Sequence, residues 1–201
     1  LGALVEPTAV AVHDVARAAV RPGEKAVVVG GGPVGLLIAA VARAAGADVL
    51  VLEVDEFRRS VIDGAGLSVA DPLSTDAAAL ILDWTAGAGA SVTFEVSGSQ
   101  QGLDTAVDVL GVRGRMVLVG IHPTPKPLNL HRVFWRELTI LGARVYERAD
   151  FERAVELVSS GSVPARALIS HVEPLGSAAS AFEALEHGVG TMKVLIDCGA
   201  E

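Results

Sequence analysis

The sequence predicts a doubly wound α/β domain built on a six-stranded parallel sheet in the order 3-2-1-4-5-6. Three observations carry this expectation. Short β-branched apolar runs alternate with longer helix-patterned stretches over most of the chain. The first of these runs, Lys25-Ala26-Val27-Val28-Val29, enters the turn Gly30-Gly31-Gly32-Pro33-Val34-Gly35, which opens a helix. An acidic residue, Glu53, ends the next apolar run about 20 positions after the turn.

In chain order, an opening helix over 9–19 is followed by the turn Arg21-Pro22-Gly23-Glu24 and the strand that starts at Lys25. A helix over 36–45, a strand over 48–53, a helix over 56–65 and a short strand over 68–70 continue the alternation. A helix over 75–85, a strand over 91–96, a helix over 100–109 and strands over 115–120 and 138–143 complete it. Between the last two strands, 122–132 carries three prolines and reads as a loop over the ligand crevice at the carboxyl ends of the strands. Asp150 is placed to cap a helix with the apolar face Phe151, Ala154, Val155 and Val158, ending at Gly161. Ser177 is placed to cap another with Ala178, Ala181, Phe182 and Leu185 on one face. The run Lys193 to Asp197 is a strand with no crossover to feed it into the parallel sheet, so it is expected in a different layer.

The glycine spacing is that of a dinucleotide site. Gly30 allows the tight turn, Gly32 lets the backbone approach a pyrophosphate, and Gly35 lets the helix pack close to the sheet. Pro33 and Val34 start the helix, whose first N–H groups and dipole favour the phosphates. Glu53, at a strand end, can accept hydrogen bonds from the adenosine ribose hydroxyls and would repel a 2′-phosphate, which favours NAD over NADP. Arg58 reads as a guanidinium lying against adenine. Arg58 and Arg59 could alternatively hold a 2′-phosphate, or lie on a solvated helix face.

The totals agree with a layered α/β protein: 201 residues, 51% apolar and only 4% aromatic. A net charge of −8 without a basic cluster argues against nucleic acid and anionic membranes as partners. The longest apolar stretch, 34–47, is interrupted by Arg43 and Gly46 and is too short to span a bilayer. One cysteine, Cys198, excludes an internal disulfide, and with no signal peptide a reducing cytoplasm is expected. The start at Leu1, running into an interior-like helix, reads as a piece of a longer enzyme.

Several segments occur in order: Glu6-Pro7-Thr8-Ala9-Val10-Ala11-Val12-His13, the Gly30 to Gly35 turn, Phe94-Glu95-Val96-Ser97-Gly98, Val119-Gly120-Ile121 and Met192-Lys193-Val194-Leu195-Ile196-Asp197. Together they resemble the zinc-dependent medium-chain dehydrogenases, most closely the sorbitol, threonine and butanediol dehydrogenase branch. The resemblance implies a Rossmann NAD-binding domain over 9–162, with 1–8 and 163–201 belonging to or contacting a catalytic domain. It implies hydride transfer from a secondary alcohol or polyol to NAD, with zinc polarising the alcohol oxygen. The family's zinc ligands lie in an amino-terminal domain, and nothing here supplies them except Glu6, which matches a carboxylate near the metal. Glu6 is otherwise a helix-start acid.

By the same resemblance Val10 faces the nicotinamide, with core packing as the alternative, and Ser97 and Gly98 contact the adenosine side. Gly120 and Ile121 meet the nicotinamide carboxamide through their backbone, and Lys193 reaches a cofactor phosphate or is a surface lysine. His13 reads as a satisfied helix histidine. The bare edge of the sixth strand predicts a homodimer or homotetramer. No catalytic residue is assigned within the chain. Two competing readings are a zinc-free NADPH-dependent reductase of the same superfamily and a regulatory NAD-binding module.

Overall fold

The computed structural model describes residues 1–187 and 190–199. Its main sheet has six parallel strands in the order β3-β2-β1-β4-β5-β6, as the alternation predicts. The strands are β1 (Lys25–Val29), β2 (Asp48–Leu52), β3 (Ser68–Ala70), β4 (Ala90–Glu95), β5 (Leu110–Leu118) and β6 (Thr139–Gly142). The helices between them are α2 (Pro33–Ala44), α3 (Glu56–Gly64), α4 (Ala77–Trp84), α5 (Gln100–Asp108) and α6 (Leu130–Trp135), preceded by α1 (Val5–Arg17).

Period-two alternation along the strands sorts side chains onto two cores. Val28, Val49, Val51, Val92, Phe94 and Val117 face one side, where α1, α2 and Ile62 of α3 cover them. Val27, Val29, Leu50, Leu52 and Met116 face the other, where Ile81 of α4 and Leu103, Ala106 and Val107 of α5 cover them. Helices therefore change face between the crossovers on the β2 side and those on the β4 side. The crevice that results lies between the carboxyl ends of β1 and β4, which pair with Val29 opposite Glu95.

Local capping explains where helices begin. Asp55, Asp76 and Ser99 each accept a backbone N–H three residues on, at the starts of α3, α4 and α5. Asn129 does the same for α6, so the proline-containing stretch expected to be all loop ends in a short helix. The opening helix starts at Val5, which places Glu6 and Pro7 in its first turn.

Helix α7 (Arg148–Ser159) is capped by Glu147, not Asp150; Asp150 sits three residues inside and completes a reciprocal capping box. Its buried face is Ala154, Leu157 and Val158 against α1, whereas Phe151 and Val155 are partly exposed. The stripe that packs is thus rotated from the one expected from the sequence. A second sheet pairs β7 (Ile169–Pro174), absent from the sequence reading, in parallel with β8 (Lys193–Asp197). The crossover between them is α8 (Ala178–His187), whose Phe182 is largely exposed. No described helix is long and apolar enough to cross a membrane.

Where α1 packs on α7, Asp14 is wholly buried and neither carboxylate oxygen has a partner among the described residues. Burial pushes its pKa from 3.8 up to about 7; neighbouring His13 pulls it down and Asp150 pushes it further up. The native chain then keeps a proton that the unfolded chain loses from pH 4 upward, so stability falls as pH rises through the window from about 4 to 7. Asp14→Asn, which cannot ionise, is expected to be more stable than wild type by about 2 kcal/mol at pH 8. Urea denaturation at pH 8 and pH 4.5 checks this, with the advantage shrinking at the lower pH.

Candidate functional site: a dinucleotide crevice

The carboxyl ends of β1, β2 and β4 enclose a crevice of about 400 Å3, lined in part by Gly30, Gly32, Glu53, Arg58, Ser97 and Ser99. The glycine turn is built by close approach. A Cβ at Gly35 would lie 1.9 Å from the carbonyl oxygen of Gly30, so α2 can rest on the end of β1 only with glycine there. Gly30 has φ +103°, and a Cβ on it would come within 2.9 Å of the Ser97 backbone nitrogen. Gly31 is crowded by side chains, not backbone: its Cβ would meet the end of Ile62 at 2.4 Å and Glu53 at 3.0 Å.

Gly32 differs from its neighbours. It is the N-cap of α2 in an extended conformation, and a Cβ there would meet only the Arg58 guanidinium, at 3.8 Å. The protein leaves this glycine room for a side chain, so its bare surface faces the crevice as a cradle for a ligand. Pro33 follows at the first helical position, and Val34 lies half-buried beside it. The free N–H groups of this first turn give the crevice a positive pole.

Glu53 is 4% exposed. One carboxylate oxygen accepts the Gly31 N–H at 2.6 Å and the other the Asp55 N–H at 2.8 Å. Each oxygen keeps a further lone pair for a ligand hydroxyl. Arg58 lines the crevice, and its Nε is buried without a partner among the described residues. Arg59 is committed elsewhere: it donates to the carbonyls of Glu53 and Val54 and faces Asp71 at 3.6 Å. It is neither a solvated helix arginine nor a crevice cation.

At the other wall, Ser97 and Gly98 follow β4 and Gly120 and Ile121 follow β5. The two turns touch, since a Cβ at Gly98 would lie 2.9 Å from the Ile121 carbonyl oxygen. The remaining sequence-predicted residues lie apart from the lining. Val10 is half-buried in the middle of α1, Glu6 is exposed in its first turn, and Lys193 opens β8 in the second sheet. His13 donates from Nδ1 to the Asp150 carboxylate at 2.8 Å, a structural pair. Among the described residues no group of three or more His, Cys, Asp or Glu side chains could hold a metal ion, and Cys198 is exposed. The side chain of His187 lies outside the described residues. These residues do not by themselves fit zinc; the glycine cradle, Glu53 and Arg58 do fit an adenine dinucleotide.

The sequence reading gave no role to Glu95 or His122. Glu95 is fully buried and accepts hydrogen bonds from Ser97, Gly98 and His122. The signal was available: a carboxylate ends an apolar buried strand, as Glu53 follows β2.

Fold and crevice define a doubly wound α/β protein with a glycine-turn crevice of the dinucleotide-binding type. Residues 33–160 match the family model described as zinc-binding dehydrogenase, and the chain belongs to that family. It is 48% identical over 200 residues to 2-dehydro-3-deoxy-L-galactonate 5-dehydrogenase of Pseudoalteromonas atlantica, covering 100% of this chain and 59% of that protein. Sorbitol dehydrogenase 1 of Saccharomyces cerevisiae is 38% identical over 204 residues, covering 97% of this chain and 57% of the relative. The crystal structure of 2R,3R-butanediol dehydrogenase from Bacillus subtilis superposes with a TM-score of 0.90 at 31% identity, over 97% of this chain and 56% of that one. The chain thus spans little more than half the length of the relatives it matches.

Two glycines separate folding from binding. Gly35→Ala is expected to cost about 3 kcal/mol of stability, because backbone must move. Gly32→Ala is expected to cost no more than about 1 kcal/mol, the loss of a glycine N-cap, yet to weaken dinucleotide binding about tenfold or more. Thermal melts and calorimetric titration of the two variants read the two effects.

Proposed function

We propose that the chain is the cofactor-binding portion of an NAD-dependent, zinc-dependent dehydrogenase of secondary alcohols or polyols. The observation that carries the cofactor choice is the buried Glu53 carboxylate, held against the glycine turn at 2.6 Å. Its spare lone pairs accept the adenosine ribose hydroxyls, while a 2′-phosphate would bring two further negative charges against a buried carboxylate. Arg58 lines the same wall, and its guanidinium stacks on adenine in this reading. The first turn of α2 faces the pyrophosphate, with Gly32 giving it room.

A nicotinamide bound here would accept a hydride at its C4, and zinc, which these residues do not hold, would polarise the alcohol oxygen from ligands elsewhere in the whole enzyme. Beyond Glu6, the zinc ligands are assigned to protein outside these residues. Val10 and the backbone at Gly120 and Ile121 serve the nicotinamide, Ser97 and Gly98 the adenosine side, and Lys193 a phosphate. The 48% identical relative favours a substrate with a secondary hydroxyl on a sugar-acid or polyol chain. The protein works in the cytoplasm as a homodimer or homotetramer. The edge strand β6 and the exposed Leu130, Phe134 and Trp135 of adjoining α6 support that assembly. Light scattering gives its mass directly.

One observation favours the alternative of a zinc-free NADPH-dependent reductase: Arg58 lines the crevice and its buried Nε has no partner among the described residues, so this nitrogen is not committed to a protein acceptor and the side chain could turn to a phosphate. Calorimetry with NAD and NADP separates the two. Wild type is expected to prefer NAD, and Glu53→Ala to weaken NAD about tenfold or more while narrowing or reversing the preference. A wild type that prefers NADP, with Arg58→Ala abolishing that preference, would establish the reductase instead.

A further inference from the structure

We infer that Glu95 and His122 form a positioning pair for the nicotinamide end of the cofactor, fixing the backbone at Gly120 and Ile121 against the turn at Ser97 and Gly98. This rests on the cofactor reading above and adds two residues that it does not use.

Glu95 has no exposed surface, and hydrogen-bond donors converge on it from both strand-end turns. Its Oε1 accepts the Ser97 N–H at 2.9 Å, the Ser97 hydroxyl at 2.6 Å and the Gly98 N–H at 3.0 Å. Its Oε2 accepts from His122 Nε2 at 3.0 Å. Its backbone carbonyl accepts the N–H groups of Val119 and Gly120 at 2.9 and 2.8 Å. One residue therefore holds both turns, which follow different strands and are far apart in sequence.

Packing leaves this arrangement little freedom. A Cβ at Gly120 would lie 2.5 Å from the Gly98 nitrogen and 2.6 Å from Glu95 Oε2. Backbone passes backbone here with no side chain between, and the carboxylate sets the separation. A buried carboxylate is costly unless its oxygens are paired, and β4 already has its ladder partners in β1 and β5. The charge is therefore not needed to make the strand. What it adds is a rigid frame of oriented amides at the ligand end of the sheet.

His122 is the side chain that closes the frame from the β5 turn. Because its partner is a carboxylate, the proton of that hydrogen bond sits on Nε2. His122 directly follows Ile121, so its grip on Glu95 fixes the Ile121 peptide. Neither Gly120 nor Ile121 lines the crevice beside Glu53 and Arg58, and Ser97, which does line it, keeps its own hydrogen bonds to Glu95 Oε1 when His122 is replaced, so the adenosine wall stays in place.

The test compares NADH with ADP-ribose, which lacks the nicotinamide, on the intact protein. His122→Phe keeps a ring and removes the donor; His122→Gln keeps a donor close to the Nε2 position. His122→Phe is expected to weaken NADH about tenfold while ADP-ribose stays within about twofold of wild type, and His122→Gln to restore most of the NADH affinity. A His122→Phe protein that binds NADH as wild type does, or that loses both ligands equally, would overturn the positioning role. Failure of wild type to bind either ligand would instead overturn the cofactor reading, and this inference with it.

Discussion

The fold hangs on one close approach, that of the Gly35 α-carbon to the carbonyl of Gly30. With 1.9 Å between that oxygen and any Cβ at position 35, α2 can sit on the end of β1 only as it does. That seating aims the first turn of α2 across the crevice and brings Gly31 within reach of Glu53. It also presses Leu36, Leu37 and Ile38 into the buried side of the helix, where they join the core shared with α1. The helix that points its dipole at the crevice is therefore held by the same contact that builds the core.

Two buried glutamates then organise the rim in parallel ways. Glu53 follows β2 and ties the glycine turn to the start of α3. Glu95 ends β4 and ties the turns after β4 and β5. Each carboxylate is satisfied by backbone N–H groups of loops that face the crevice, so its charge is spent on holding backbone amides in fixed directions. The difference is in what remains. Glu53 borders the open crevice with lone pairs to spare, whereas Glu95 is enclosed and already accepts four hydrogen bonds through its side chain. Ligand recognition suits the first and positioning the second.

Much of this was legible in the residues. Strand order followed from the alternation of β-branched runs and helical stretches, because crossover rules leave few arrangements once the units are parallel. The glycine turn and Glu53 were legible because tight backbone approach admits only glycine, and a charge ending an apolar run needs a reason. Less legible were features set by distant partners. The short helix α6 hides behind prolines and is nucleated by the Asn129 cap. The strand β7 carries His171 and Glu173 and, among the described residues, pairs only with β8, so its pattern was too polar to declare itself. Asp150 looked like a cap, but Glu147 takes that place and Asp150 answers from the next turn. The role of Glu95 depends on His122, 27 residues away, and no local spacing encodes that meeting.

Amide hydrogen exchange with and without NADH tests the crevice most directly. Binding there predicts new protection in the peptides covering 30–36 and 53–58 and in those covering 97–99 and 119–122, with little change in α4. Tight binding that leaves the glycine turn and the Glu53 peptide unprotected, or that protects a different face of the sheet, would contradict it.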